Sequence, residues 1–211
     1  MSNARRIRWV VIVVLLGLAA WFVGTHVGQW KDRFVPRRFR VVELGKIYAS
    51  GQINQHLIRQ VLSQYGIKVI VCLDNDDNSD SDVVAEQTAA RDLGIDREIF
   101  PLSGDGTGDI HSYANALARI VAANKENVPV LVHCSSGAQR TNGTVGFYRI
   151  LIQHRDPNDT ADEMIRNGHD PHKNPLLIPY MNEHMGELAQ LLVEMGVLDA
   201  IPSPVPQINP R

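Results

Sequence analysis

The chain has 211 residues, with 21 Lys and Arg against 23 Asp and Glu and 44% apolar side chains, enough for one domain with a real core plus an appendage. Residues 1–40 hold eight basic side chains and a single acid, Asp32, so the remainder carries 13 basic and 22 acidic residues, a formal charge of −9. An acidic globular part excludes nucleic acid as an expected partner, because phosphate backbones are held by clustered Lys and Arg, and two cysteines, Cys72 and Cys134, supply no disulfide framework.

Trp9 to Val23 is a run of fifteen residues without a charged side chain, and extension to Val27 brings it to nineteen. A bilayer-spanning helix needs about 17 to 25 residues and a secretory apolar region about 7 to 15. No A-x-A-like cleavage site follows, and Trp9, Trp21 and Trp30 stand where interfacial aromatics are expected. Residues 1–30 are therefore read as a retained single-pass membrane anchor, Trp9 to about Val27, and residues 31–40 as a basic linker. Arg5, Arg6 and Arg8 on one side and the five basic residues from Lys31 to Arg40 on the other leave sidedness open.

Val41 to Ser50 reads as two short strands around Gly45. Ile53 to Tyr65 has helical apolar spacing and stops at Gly66, and Lys68 to Leu73 is a buried strand. Asp74 to Asp82 places five aspartates in nine residues. The calcium-loop pattern fails there, since Ser79 and Ala85 stand where Gly and Glu are required, and the stretch is expected to be a solvated loop before a helix from Val83 to Leu93. Arg97 to Leu102 is the next strand. Ile110, Tyr113, Ala114, Leu117, Ile120 and Val121 mark the clearest amphipathic helix, and Val128 to His133 is the strand after it. A helix from Thr141 to His154 follows. Thr160-x-x-Glu163 suggests a capping box, His169, Asp170 and His172 lack metal-ligand spacing, and Pro179 to Met195 is a last helix facing the core through Met181, Met185, Leu188, Leu192 and Met195. Residues 199–211 form a Pro-rich tail, expected to be extended and disordered. Alternating strands and helices over residues 41–198 predict an α/β domain, a mainly parallel central sheet flanked by helices, in which ligands bind off the carboxyl ends of the strands.

Cys134 stands at such an end, in Val-Leu-Val-His-Cys-Ser-Ser-Gly-Ala-Gln-Arg-Thr. A thiol at a helix N-terminus, ringed by backbone amides and close to a cation, loses its proton readily and becomes a nucleophile. Gly137 lets the loop curl so that amides from Ser135 to Gln139 converge on an anion, and Arg140 adds a planar fork for two phosphate oxygens. Thr141 can donate a hydrogen bond to the sulfur when it leaves.

His133-Cys134-x5-Arg140-Thr141 resembles the signature of the cysteine-based protein tyrosine phosphatases, and the compact surroundings resemble their dual-specificity branch. The resemblance implies a two-step phosphatase with no cofactor and no metal. Its substrate is a phosphorylated protein or a small phosphate ester, phosphotyrosine with phosphoserine and phosphothreonine in range. Cys134, Arg140, Thr141 and an aspartic acid would be catalytic, and Ser135, Ser136, Gly137, Ala138, Gln139 and Arg140 would bind substrate. Asp105, between glycines, matches the family's acid position, whereas Asp109 is explained as the cap of the helix starting at Ile110. Gln139 stands where the family often has an acidic or small residue, and is assigned to the hydrolytic water. The loop contains no Lys and the domain is acidic, which disfavours multiply phosphorylated inositols. Some relatives pair the nucleophile with a second cysteine. Cys72 and Cys134 lie near neighbouring strand ends, although strand alternation can equally turn Cys72 into the core. A pseudophosphatase and a rhodanese-like sulfurtransferase are the other readings.

Overall fold

The computed structural model describes Trp9, Ile12, Gly17 and residues 31–209. Residues 1–35 and 36–211 are two compact units. Among the described residues no helix is long and apolar enough to cross a membrane. Apart from those three helical positions, the expected anchor from Trp9 to Val27 lies outside the described residues.

The second unit is built on a five-stranded sheet, β1 (Arg40–Glu43), β2 (Ile47–Gly51), β3 (Val69–Cys72), β4 (Asp96–Ile99) and β5 (Val130–Cys134), in the order β1-β2-β5-β3-β4. Only the β1–β2 pair is antiparallel; β2, β5, β3 and β4 run parallel. The helices are α1 (Ile58–Gln64), α2 (Ser81–Leu93), α3 (Ile110–Lys125), α4 (Gln139–Phe147), α5 (Pro157–Arg166) and α6 (Leu177–Glu194). Strand alternation divides the core. Tyr48, Ile70 and Leu131 pack with α1 and α2 on one face. Ile47, Ala49, Val69, Val71, Val130, Val132 and Cys134 pack with α3, α4 and α6 on the other.

The β3–β5 register pairs Cys72 with His133. Cys72 therefore shares the α1/α2 side with His133, and Cys134, one residue on, points to the opposite face. Both cysteines are free.

Several expected elements are trimmed or reassigned. The first helix begins at Ile58, after a turn in which the Asn54 carbonyl accepts from Leu57 N at 2.8 Å, although Ile53 is buried. The predicted helix to His154 changes pitch: α4 passes into a π-helical segment, Tyr148–Ile152, where Gln153 N donates to Tyr148 O at 3.1 Å. Thr160 opens no capping box. Asp156 caps α5 by accepting from Asn158 and Asp159, Pro157 takes the first helical position, and Thr160 is buried within the helix. Met195 is exposed rather than buried. The Pro-rich tail has no regular element but is not loose: Ile208 is buried, and its N–H and C=O are both held by the Asn182 side chain at 2.8 Å. An apolar side chain among prolines, with both of its backbone polar groups satisfied, is enough to dock it on α6.

The five aspartates of the expected solvated loop are mostly engaged. Asp74 binds Arg140, Asp76 binds Arg97, Asp80 caps α2 by accepting from Asp82 N, and Asp82 accepts from Gln55 N. The basic linker likewise belongs partly to the domain, for Arg37 O accepts from Gly51 N at 2.8 Å and Arg38 and Arg40 reach the loop after β5.

Candidate active site

Strand β5 delivers Cys134 into a loop that turns at once into α4. Two close approaches shape that loop. Gly137 lies at φ +72°, and a Cβ there would stand 2.4 Å from Gly51 N and 2.6 Å from Ser50 C; a Cβ on Gly51 would stand 2.9 Å from Ser136 C. No side chain can occupy either position, so the loop sits directly on the end of β2. Gln52 N donates to Ser135 O at 3.1 Å and fixes the other side. No side chain caps α4 at Ala138, so the amides of Gln139 and Arg140 remain open to an anion.

The Cys134 sulfur is fully buried and accepts from Gly137 N at 3.2 Å and from the Thr141 hydroxyl at 3.1 Å. Burial pushes its thiol up. The Thr141 hydroxyl, the Arg140 charge and the amides of Thr141 and Gly137 outweigh that and bring it below the ordinary thiol value.

Arg140 shows how the site is readied for an anion. Its Nη1 lies 2.5 Å from Asp74 Oδ1 and its Nη2 donates to Ser135 Oγ at 2.8 Å, while its Nε is buried without a partner. Asp74 therefore occupies the far amino group and leaves the Nε–Nη2 edge, the bidentate one, facing the loop. Ser135 N donates to Asp74 Oδ2 at 3.3 Å, so a residue 61 positions upstream steadies both loop and guanidinium. Burial opposes the Asp74 carboxylate, but the Arg140 contact and the amides of Asn75 and Ser135 hold it below the usual range.

The two acid candidates separate as expected in one respect. Asp109 caps α3, accepting from His111 N at 2.9 Å. Asp105 is half-buried in the neighbouring loop. Its Oδ1 accepts from Thr107 N at 3.0 Å and Thr107 Oγ1 at 2.8 Å, bonds that hold its carboxyl below the ordinary value. The loop is pinned to the site: Tyr113 OH donates to Gly106 O at 2.5 Å, and a Cβ on Gly106 would stand 3.3 Å from Gln139 C.

Gln139 is buried, and its Oε1 lies 2.6 Å from His169 Nδ1. Since an amide oxygen only accepts, Nδ1 must carry the proton. His169 is thus turned inward, whereas Asp170 accepts from the amides of His172 and Lys173, and the three do not converge as ligands. Cys72, Glu86 and His133 do bring ligand atoms within 4.8 Å of one another, all buried. Glu86 already accepts from Arg97 Nε at 2.9 Å and Gln52 Nε2 at 3.0 Å and lies 3.2 Å from His133 Nε2. With a guanidinium seated on its carboxylate, the cluster is an ion-pair network rather than a cation site.

Loop, guanidinium and acid loop therefore stand together at the carboxyl end of a parallel sheet. The family model of the PTP-SAK (Swiss Army Knife) protein, DSP-PTPase phosphatase domain, matches residues 36–171. The chain belongs to this family, within the cysteine-based, dual-specificity-like phosphatases. The match begins at Pro36, inside the stretch read as a linker. No curated protein matches the chain in sequence. Among solved structures it is similar to TpbA of P. aeruginosa, with 23% identity over 76% of this chain and 91% of that one and a TM-score of 0.60. It is similar also to the catalytic core of Siw14 of S. cerevisiae, with 21% identity over 81% and 97% and a TM-score of 0.59. PTPMT1 shares the fold at 11% identity over 72% and 99%, with a TM-score of 0.57.

Sequence reasoning missed Asp74, Arg38, Arg40 and His169. For Asp74 a signal existed: it lies two residues past the end of β3, the strand that neighbours β5, and in a parallel sheet that position borders the same mouth.

Proposed function

We propose that the protein hydrolyses phosphate monoesters, phosphotyrosine foremost with phosphoserine and phosphothreonine in range, through a phosphocysteine intermediate. The observation that carries this reading is the Cys134 sulfur held by Gly137 N and Thr141 Oγ1 beside the unpartnered Nε of Arg140. In the first step the thiolate attacks phosphorus and the ester oxygen leaves with a proton from Asp105, while loop amides from Ser135 to Gln139 and the Arg140 edge hold the remaining oxygens. In the second, a water ordered by Gln139 attacks the phosphocysteine, Asp105 takes its proton, and the sulfur leaves as a thiolate accepting from Thr141. Inorganic phosphate is released. Asp105 must begin protonated although Thr107 favours its charged form; a phosphate dianion in the loop opposes that bias by like-charge repulsion.

Support from relatives is mixed in substrate: TpbA has been solved in complex with pTyr, the Siw14 structure is of a PP-IP phosphatase, and PTPMT1 has been solved with PI(5)P. Phosphotyrosine is favoured by the Lys-free loop. The apolar run from Trp9 to Val27 serves as a single membrane anchor in this reading, and mass spectrometry of the mature chain tests its retention: a start near residue 25 would refute it.

The deciding measurement is phosphate release from p-nitrophenyl phosphate and phosphotyrosine peptides by wild type and Cys134→Ser. Wild-type turnover with less than a few per cent remaining in the variant is expected, with phosphate-ligand binding retained because a serine hydroxyl stays protonated. Residual turnover by Cys134→Ser above a few per cent of wild type would refute the nucleophile.

A further inference from the structure

On the flank of the phosphate loop, Arg38, Phe39, Arg40, Arg166, Asn167 and Gly168 enclose a cavity of about 230 Å³. Among the described residues, three guanidinium groups border it and no carboxylate does. Among the described residues, Arg59, Arg97, Arg119, Arg140, Arg149 and Arg155 are ion-paired, whereas Arg38, Arg40 and Arg166, like Arg37 and Arg91, form no salt bridge. Glu163, the nearby acid, is bound to Arg149 and Arg155.

The backbone is arranged to keep this charge in place. Arg38 adopts φ +48°, in the left-handed region that side chains other than glycine seldom enter. Gly168 lies at φ +96°, and a Cβ on it would stand 2.6 Å from Arg38 Nε. A side chain there would push the guanidinium out of this position. Arg38 Nη1 donates to Ser136 O at 2.8 Å and leaves its other amino group uncommitted. Arg40 donates from Nη2 to Asn142 Oδ1 at 2.7 Å and from Nη1 to Gly137 O at 3.3 Å, while its Nε is buried with no partner. Burial, offset in part by Glu163 and Cys134 and reinforced by Arg38 and Arg149, lowers Arg40 to about 10. Clustered like charges without counterions are costly unless an anion completes them.

We propose that this cavity is a second anion site, built for a phosphate group distinct from the one that the Cys134 loop receives. The uncommitted amino group of Arg38 and the fork of Arg166 supply donors for the oxygens of a dianion beside the Arg40 charge, and Phe39 is the only apolar side chain in the lining, so an apolar ligand gains little there. The site stands on its own observations and does not require that the protein turn substrate over. It touches the catalytic loop through the carbonyls of Ser136 and Gly137. The phosphate can come free in solution or on a lipid headgroup, and the chemistry of recognition is the same.

The test is binding to the full chain at low ionic strength. Inorganic phosphate is titrated calorimetrically into wild type, Arg140→Ala, Arg166→Glu, and Arg38→Ala with Arg166→Ala. Wild type should bind two phosphates, Arg140→Ala one, and the double variant one. Arg166 is exposed and its side chain makes no hydrogen bond or ion pair among the described residues, so Arg166→Glu should fold normally and weaken the second phosphate by about tenfold or more, the worth of a charge-assisted contact. In parallel, the same proteins are titrated with a water-soluble glycerophosphoinositol phosphate, the headgroup without its acyl chains. Arg166-dependent binding of the headgroup tighter than that of inorganic phosphate assigns the site to a headgroup, and Arg166-dependent phosphate binding without that gain assigns the site to free phosphate. A single phosphate in wild type, or two arms both indifferent to Arg166→Glu, would overturn the proposal.

Discussion

Asp74 Oδ1 and Arg140 Nη1 lie 2.5 Å apart, and in the proposed reaction that pair sets which edge of the guanidinium is offered to substrate. Asp74→Asn keeps an oxygen acceptor while removing a negative charge from the mouth, so kcat/KM should stay within about threefold of wild type. Asp74→Ala frees Nη1, lets the fork rotate, and should lower kcat/KM by about tenfold or more, as misplacement of a transition-state contact does. Steady-state kinetics on an aryl phosphate distinguishes the two; equal loss in both variants would mean that the charge, rather than the geometry, is what Arg140 needs.

Asp105 and Asp109 separate by leaving group. Asp105→Asn should slow alkyl phosphates far more than aryl phosphates and erase the basic limb of the pH profile. Asp109→Asn should be nearly silent because Asn also caps, and Asp109→Ala should cost about 1 kcal/mol of stability. The Thr107 bonds sharpen the test. They favour the Asp105 carboxylate, so Thr107→Val should raise the Asp105 pKa and move the basic limb of kcat/KM to higher pH. A limb that stays in place would remove Asp105 from the proton-donor role.

Glu86 and His133 connect stability to pH. Burial opposes the Glu86 carboxylate, but His133 and Arg97 bring it down to about 2 from 4.5. A carboxylate with a depressed folded pKa contributes stability that is present above the unfolded value and lost as pH falls from about 4.5 toward 2. For His133 burial is overcome by Glu86 and Cys72 and the pKa is raised, so its contribution is complete below 6.5 and fades as pH rises through the folded value. Thermal unfolding of Cys134→Ser should therefore lose stability on the acid side of pH 4.5, and Glu86→Gln should flatten that slope. An unchanged slope in Glu86→Gln would assign the acid transition elsewhere.

His169 and Gln139 provide a split between the two chemical steps. If His169 orients the amide that orders the hydrolytic water, His169→Leu should lower kcat and leave kcat/KM, which reports cysteine phosphorylation, nearly unchanged. Rapid mixing with p-nitrophenyl phosphate should then show a burst approaching one equivalent per enzyme. His169→Asn, which can still donate to Gln139, should restore turnover. Parallel loss of kcat and kcat/KM without a burst would make the contact merely structural.

How far these features could be read in advance follows the range of the interactions. Cys134, Arg140, Thr141 and the loop amides lie in one strand-loop-helix stretch, so local spacing was sufficient for them. The parallel sheet and both helical layers followed from alternating periodicity. Asp74, Arg38 and His169 come from other connections, and only the β1-β2-β5-β3-β4 order brings them to the loop. Composition actively misled for the termini of the domain. Basic residues from Lys31 to Arg40 have the look of a linker, yet Arg38 and Arg40 hydrogen-bond the loop carbonyls. Prolines from Pro202 onward have the look of disorder, yet Ile208 is buried. Aspartates from Asp74 to Asp82 have the look of a solvated run, because charge density does not reveal which carboxylates find an arginine.

The placement of Cys72 and Cys134 on opposite faces of the sheet bears on how the protein meets peroxide. A disulfide needs Cβ atoms about 3.8 Å apart with their sulfurs turned toward each other, which this register forbids unless β3 or β5 lets go. A sulfenic acid formed on Cys134 thus finds no internal thiol to condense with. Under sustained oxidant it should advance to sulfinic and sulfonic acids, from which thiol reductants give no return. Activity lost briefly to peroxide should come back with dithiothreitol, while prolonged exposure should leave Cys134 heavier by two or three oxygens and Cys72 unlinked in a non-reducing peptide map.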